Sequence, residues 1–151
     1  KALGHRCGTE RLARLMRQAG IKGKQRKKLK HTTDSNHPHP ISPNRLAQEF
    51  TSSAPNEKWV ADVTYIPTGE GWLYLATVMD LYSRMIIGWC MEARMTTSLV
   101  TNALAMAVER RGRAKGLIHH SDRGSQYASE AYQRMLAVNG ITGSMSRRGN
   151  W

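Results

Sequence analysis

Apolar residues in the second half of the chain come in short runs that are typical of β-strands. Three runs rich in branched and aromatic residues are separated by segments of Gly, Asp, Ser and Thr, which favour turns. The pattern predicts an antiparallel meander of three strands, at residues 59–66, 72–79 and 85–91. Gly88 interrupts the third run and predicts a β-bulge. Three tryptophans of this region are expected in the core: Trp59, Trp72 and Trp89.

Helical and strand patterns alternate after the third run. Gly112 and Gly140 follow the helical segments as stop signals, and Ser129 is a suitable N-cap. The predicted elements are a helix at 97–111, a strand at 117–121, a helix at 129–138 and a strand at 141–145. The resulting order, β-β-β-α-β-α-β, predicts an α/β fold in which helices pack against a mixed sheet.

The N-terminal part has a different pattern. Residues 9–19 predict a short amphipathic helix, whose apolar stripe consists of Leu12, Leu15, Met16 and Ala19. This helix is either the last helix of a helix-turn-helix or an ordinary surface helix, and the pattern favours neither. Residues 22–58 are rich in charge and Pro, which predicts a linker that is disordered or extended. One docked helical turn is expected at residues 43–50.

The net charge of +12 is unevenly distributed. Residues 1–50 hold 12 Lys or Arg against 3 Asp or Glu and therefore contribute +9. A solvated basic face is one explanation, but a pI near 10.3 favours a nucleic-acid partner. The residues predicted to contact DNA are Arg11, Arg14, Arg17, Lys24, Arg26, Lys27, Lys28, Lys30, Arg123 and Gln126.

Other classes of protein are disfavoured by composition. No apolar run is long enough to span a bilayer and no signal peptide opens the chain, so no membrane partner is expected. Two cysteines make no disulfide framework and fit a reducing cytoplasm. The residues Cys7, His31, His37 and His39 do not have the spacing of a zinc site, so no zinc is expected. The chain also begins without Met, and we expect it to be part of a longer protein.

Two aspartates suggest chemistry. Asp62 lies within the first apolar strand, where an unpaired carboxylate is costly, and Asp122 follows the fourth strand. A right-handed crossover would make these strands parallel and bring the aspartates onto neighbouring strands. Magnesium or manganese would relieve the repulsion between the carboxylates. Two such ions roughly 4 Å apart support phosphoryl transfer.

Structural roles for the two aspartates are the alternatives. Asp122 precedes Gly124 and is a candidate turn or N-cap residue. Asp62 is a candidate buried carboxylate, bonded to Thr64 or to a backbone amide.

Nearby polar residues are first interpreted as structural. Asp80 and Arg84 are placed to pair across the turn between the second and third strands. His119 and His120 precede the second aspartate, and we expect packed side chains rather than phosphate ligands.

Five motifs occur in order, at residues 56–66, 71–76, 80–84, 119–127 and 144–150. Together they closely resemble the integrase-core transposases of bacterial insertion sequences. The resemblance is to the OrfB type, which are DDE enzymes akin to retroviral integrases. It covers residues 44–151, and residues 9–23 resemble the end of that family's helix-turn-helix region.

The resemblance implies an RNase H-like fold with a mixed five-stranded sheet flanked by helices, and a two-metal site for DNA strand transfer. Asp62 matches the family's first catalytic, metal-binding carboxylate, and Asp122 matches the second. The third is a glutamate on a later helix, which lies beyond Trp151. We therefore expect a core truncated at the C-terminus, with little or no activity from this chain alone.

Three segments follow from this interpretation: a helix-turn-helix remnant (1–23), a basic Pro- and His-containing linker (24–55), and an incomplete catalytic core (56–151). The expected function is DNA transposition, by metal-dependent phosphodiester cleavage and strand transfer. A catalytically dead DNA-binding fragment that regulates a full-length transposase is the main alternative, and an RNase H-like nuclease is another. Element ends and target DNA are the expected partners, with homo-oligomerisation of the complete protein, in the bacterial cytoplasm at the nucleoid.

Overall fold

A computed structural model of the chain describes residues 8–21 and 37–147. The chain divides into two compact units, Lys1–His31 and Thr32–Trp151. Within the described residues, no helix combines the length and the apolar character needed to cross a membrane.

The first unit contains helix α1 (Thr9–Gln18), where the apolar spacing predicted a helix. Gly20, at φ +65°, lets the chain leave the helix, and the Ile21 amide donates to the Met16 carbonyl at 2.8 Å. None of the α1 side chains is buried. Leu12 and Leu15, from the apolar stripe, are therefore exposed in this unit.

The second unit is a sheet with helices packed on it. Its elements are β1 (Lys58–Thr68), β2 (Gly71–Asp80), β3 (Ile86–Glu92), α2 (Thr97–Arg111), β4 (Ile118–Ser121), α3 (Ser125–Ala128), α4 (Glu130–Val138) and β5 (Thr142–Met145). The strand order is β3-β2-β1-β4-β5. β1, β2 and β3 form the antiparallel meander, whereas β4 is parallel to β1 and to β5. These features confirm the predicted mixed five-stranded sheet; only the one-turn helix α3 was missed.

Both long helices of the second unit have the end signals seen in the sequence. The Thr96 hydroxyl accepts from the Leu99 amide and caps α2, which ends at Gly112 with φ +72°. The predicted N-cap of α4 is confirmed, because the Ser129 hydroxyl accepts from the Tyr132 amide. Local chemistry therefore sets where these helices begin and end.

The core lies between one face of the sheet and the helices. Trp59 of β1 is fully buried there, and Ala61 and Val63 pack on the same side. Helix α2 contributes the largest group of buried side chains, namely Leu99, Val100, Ala103, Leu104 and Ala107. Because burying each large apolar side chain contributes roughly 2 kcal/mol, this contact is a main source of stability.

Two of the three tryptophans predicted to be core are not. Trp72 is 52% exposed and Trp89 is 43% exposed. Cross-strand pairing places Trp89 beside Thr77, on the sheet face that points away from the helices. The prediction was wrong because an apolar run does not reveal which face of a strand is covered.

Gly88 allows the backbone of α2 to approach β3 closely. A Cβ at this position would lie 2.1 Å from the Ala103 carbonyl oxygen and 2.7 Å from the Ala107 nitrogen. The predicted irregularity is found next to Gly88: the pairing of β2 with β3 skips Ile87. The glycine itself is therefore required by helix packing.

Residues from the predicted linker pack against the second unit. Leu46 is buried, and the Phe50 ring lies edge-on to His120 with centroids 6.5 Å apart. The helical turn expected at 43–50 is not formed. Instead the Asn44 side chain accepts from the Ala47 amide at 3.0 Å, and Ala47 is left-handed at φ +49°. An Asx turn of this kind competes with helix formation.

Substitution of Gly88 by Ala should lower the free energy of unfolding by about 3 kcal/mol, the upper end for overpacking, because α2 backbone atoms cannot move aside singly. Urea unfolding measures this effect. Gly69→Ala is the matched control, since a Cβ there meets no atom within 4 Å. Equal stability of the two variants would contradict the packing argument.

Candidate active site

Parallel pairing of β1 with β4 relates the two aspartates. Trp59 lies opposite His119 and Val60 opposite His120, so paired residues are 60 positions apart. The same offset relates Asp62 to Asp122, which directly follows the end of β4. Neighbouring strands are about 4.8 Å apart. Asp62 lies in β1 two residues beyond its last position paired with β4, and Asp122 lies in the turn just past the end of β4.

Asp62 is exposed, which differs from the expectation of a buried carboxylate. It shares its cross-strand position with Thr77 of β2, on the face of the sheet opposite to Trp59. The strand is apolar on its covered face only, so the carboxylate keeps contact with solvent.

Asp122 has the turn role that was considered for it. Its Oδ1 accepts from the Gly124 amide at 2.8 Å, immediately before α3. This bond occupies one of the roughly four acceptor sites of a carboxylate. The turn fixes the orientation of the carboxylate, which is compatible with a metal-binding role.

Tyr127 is a candidate site residue that sequence reasoning missed. It is 3% exposed, and its hydroxyl has no hydrogen-bond partner among the described residues. Burial raises the pKa of the phenol well above its usual range, and Tyr132 and the charges on Asp122 and Asp62 raise it further. Tyr127 lies in α3, which directly follows the turn formed by Asp122 and Gly124.

The two histidines before Asp122 are packed, as expected. The His119 Nε2 lies 3.1 Å from the Tyr132 hydroxyl, and the His120 Nδ1 lies 2.9 Å from the Ser144 hydroxyl. Burial lowers the pKa of His119 to about 4 and also lowers the pKa of His120. Both rings are neutral at pH 7 and add no positive charge to the site.

Asp80 is structural, and the Arg84 amide donates to its backbone carbonyl at 2.8 Å, but its carboxylate has other partners. Its carboxylate accepts from the Asn56 amide and from the amide and hydroxyl of Ser83, at 2.7 to 3.2 Å. The Arg84 side chain instead donates to the Phe50 carbonyl. Burial acts to raise the pKa of Asp80, but the hydrogen bonds outweigh it and the pKa lies below its usual value. This buried carboxylate closes the β2–β3 turn.

The described residues among those predicted to contact DNA belong to both units. Arg11, Arg14 and Arg17 are exposed on α1 in the first unit. In the second unit, the Arg123 Nε donates to the Ser146 carbonyl at 2.7 Å, and Gln126 is half-buried in α3. The remaining five lie outside the described residues: Lys24, Arg26, Lys27, Lys28 and Lys30.

Comparison with known proteins identifies the family. The profile of the Integrase core domain matches residues 52–150. The 31 kDa protein of insertion element IS600 from Shigella sonnei is 48% identical over 143 residues, which cover 95% of this chain and 53% of that relative. Transposase InsF for insertion sequence IS3A from Escherichia coli strain K12 is 44% identical over 149 residues, which cover 99% and 52%.

The chain belongs to the integrase-core transposases of bacterial insertion sequences. It spans about half the length of the curated relatives it matches. This membership confirms the family expected from the five motifs.

Solved structures confirm the RNase H-like fold of this transposase chain. The HTLV-2 integrase catalytic core domain in complex with magnesium has a TM-score of 0.56 at 22% identity, covering 63% of each chain. A chain of the simian T-cell lymphotropic virus intasome, in complex with PP2A regulatory subunit B56 gamma, has a TM-score of 0.58 at 22% identity. That match covers 76% of this chain and 38% of the other.

Stability should depend on pH through His119. Its pKa is about 4 in the folded chain, against an ordinary value of 6.5 for histidine, so the unfolded chain takes up the proton first as pH falls. The contribution is complete above pH 6.5 and is lost as pH falls towards 4. We expect the free energy of unfolding to drop by about 2 kcal/mol between pH 7 and pH 5.

Urea unfolding at the two pH values tests this dependence. His119→Asn should weaken it, because the replacement does not titrate and can still bond to Tyr132. His39→Asn removes an exposed histidine and should leave the dependence unchanged. An unaltered dependence in His119→Asn would show that other groups cause it.

Proposed function

We propose that the second unit is a catalytic core that cleaves phosphodiester bonds in DNA and transfers the cut strand. The observation that carries this proposal is the parallel β1–β4 pairing, whose offset of 60 positions also separates Asp62 in β1 from Asp122 in the turn after β4. Membership of the transposase family supplies the chemical class. The element ends and the target DNA are the proposed substrates.

Magnesium or manganese is the cofactor that fits these residues. Carboxylate oxygens are hard ligands, and magnesium is commonly held by one or two carboxylates together with waters and substrate phosphates. Within residues 8–21 and 37–147, no group of three His, Cys, Asp or Glu is placed to hold a metal. The proposed site therefore uses Asp62 and Asp122, and leaves positions for substrate oxygens. A bound cation would activate the attacking hydroxyl and stabilise the leaving oxygen.

The chain's own contribution to the reaction is positional. In the proposed sequence, water and then a DNA 3′-hydroxyl attack a phosphodiester. β1 holds Asp62 within a hydrogen-bonded strand, and the Gly124 amide orients Asp122. Fixing both carboxylates before the substrate arrives lowers the reorganisation needed during the reaction.

The basic N-terminal segment is proposed to bind DNA phosphates. Three arginines of α1 are exposed, and residues 1–50 contribute most of the positive charge. Since its proposed substrate is DNA, the chain would act at the nucleoid in the bacterial cytoplasm. Strand transfer at two element ends would be carried out by a homo-oligomer of the complete protein.

A second function is favoured by one observation. Among the described residues, the proposed site has two carboxylates and no third ligand. We infer that the chain alone binds cation and DNA but cuts DNA poorly. It would then regulate a complete transposase, or interfere with it, by occupying the same DNA. Manganese-dependent plasmid nicking that Asp62→Asn abolishes would support the catalytic function instead.

Cation affinity is the direct test of the proposed site. We expect Asp62→Asn and Asp122→Asn each to weaken manganese binding at least tenfold, because each removes a charged ligand. The side-chain amide introduced by Asp122→Asn would still offer an oxygen to the Gly124 amide, so the turn should persist. Isothermal titration calorimetry of the folded chain with manganese or magnesium measures the affinity.

Glu70→Gln is the control for this titration. It removes one negative charge from the exposed β1–β2 turn and should leave the affinity unchanged. The proposed site fails if the folded wild-type chain binds neither cation, or if all three variants bind as the wild type does.

Replacing Arg11, Arg14 and Arg17 together by Gln should weaken binding to duplex DNA and make it less salt-dependent. Each phosphate contact contributes about 0.9 to the slope of log affinity against log salt, so the slope should fall by roughly two to three. Fluorescence anisotropy at several salt concentrations measures it.

The matched control removes three exposed charges from the second unit: Arg94, Arg113 and Lys115, each replaced by Gln. We expect a smaller change in slope. Equal changes for the two triple variants would mean that net charge, rather than α1, determines DNA binding.

A further inference from the structure

The Tyr127 hydroxyl is a buried polar group that the fold leaves unsatisfied. The side chain is 3% exposed, and no described residue forms a hydrogen bond with this oxygen. A buried hydroxyl without a partner destabilises the folded state, and such groups are uncommon. An unsatisfied hydroxyl at this position therefore calls for a partner that joins the site later.

Tyr132 shows that the same core can satisfy a phenol. Its ring packs edge-on against Tyr127 with centroids 5.3 Å apart, and it is 1% exposed. Its hydroxyl nevertheless pairs with the His119 Nε2 at 3.1 Å. The two tyrosines share the packing and differ in the partner, so burial alone does not explain the unsatisfied hydroxyl of Tyr127.

The backbone of Tyr127 is fixed relative to the Asp122 turn. Its amide donates to the Gly124 carbonyl at 3.0 Å, while the Gly124 amide donates to the Asp122 carboxylate at 2.8 Å. Its carbonyl accepts from the Gln133 side chain at 2.8 Å. Tyr127 therefore cannot move far from Asp122 without breaking this turn.

The charges on both aspartates also affect the pKa of the Tyr127 phenol. The charges on Asp122 and Asp62 each act on the Tyr127 hydroxyl, which keeps its proton. The protonated hydroxyl is a hydrogen-bond donor, and carboxylate oxygens are acceptors. Hydrogen bonds from O–H to a carboxylate are short and strong.

We propose that Tyr127 is a positioning residue of the metal site, whose hydroxyl donates a hydrogen bond to Asp122 when a divalent cation binds. The inference rests on the proposed function, because it requires Asp62 and Asp122 to hold the cation. The bond would add to the hydrogen bond that the Gly124 amide donates to the Asp122 carboxylate, and would supply the buried hydroxyl with a partner. Such outer contacts typically change metal affinity by roughly 10- to 100-fold.

Tyr127→Phe isolates the hydroxyl, because the ring and its packing remain. Two quantities are measured on the full chain: the melting temperature without cation, and the manganese dissociation constant by calorimetry. We expect an unchanged or higher melting temperature, since an unsatisfied group is removed. We expect manganese to bind about tenfold more weakly.

Tyr132→Phe is the matched control in the same core. It should lower the melting temperature, because the His119 Nε2 loses its partner, and should leave the manganese dissociation constant unchanged. Opposite responses of the two variants would separate a role at the metal site from a role in packing.

Three results would overturn the inference. If Tyr127→Phe binds manganese like the wild type while Asp62→Asn does not bind it, Tyr127 has no positioning role and the proposed metal site stands. If Tyr127→Phe melts lower and binds with full affinity when folded, its hydroxyl is purely structural. If the folded wild-type chain does not bind manganese, both the inference and the proposed site fail.

Discussion

The parallel ladder between β1 and β4 is the contact on which the candidate site depends. Parallel strands cannot be joined by a hairpin, so the chain must cross over the sheet, and α2 is part of that crossover. Gly88 lets this helix lie close to the sheet. A shift of one residue in the ladder would turn every β4 side chain to the other face. The relative position of Asp62 and Asp122 thus depends on the β1–β4 register, and that register depends on how α2 packs against the sheet.

The site combines two environments that the sheet keeps separate. Asp62 lies on the solvent-facing side of β1, whereas Tyr127 belongs to the core beneath the helices. Asp122 follows the end of β4, where a turn replaces the strand. Burial raises the pKa of the Tyr127 phenol, which therefore keeps its proton at neutral pH. The end of a strand pair is a position where an exposed carboxylate and a buried phenol can act on one another.

The sequence predicted most elements because their signals are local. Ser129 is a capping residue that predicts the start of α4, and its hydroxyl caps that helix. Short apolar runs bounded by turn residues predict the strands. Features that depend on distant contacts were not predictable. Trp89 has the pattern of a core residue, but coverage of its face depends on where helices pack. The motifs suggested Asp62 and Asp122 as metal ligands, whereas Tyr127 escaped notice because a buried aromatic residue usually needs no explanation. Its missing hydrogen bond is visible only in three dimensions.

The skipped residue in β3 also affects how the sheet meets other chains. β3 is the last strand in the order, so one of its two backbone edges lacks a neighbouring strand within the described sheet. A flat edge of this kind is a template for adding foreign strands and so for aggregation. The irregularity at Ile87 interrupts the edge and increases its local twist. Ile87, next to the glycine on which α2 packs, thus also makes β3 a poor surface for amyloid-like growth.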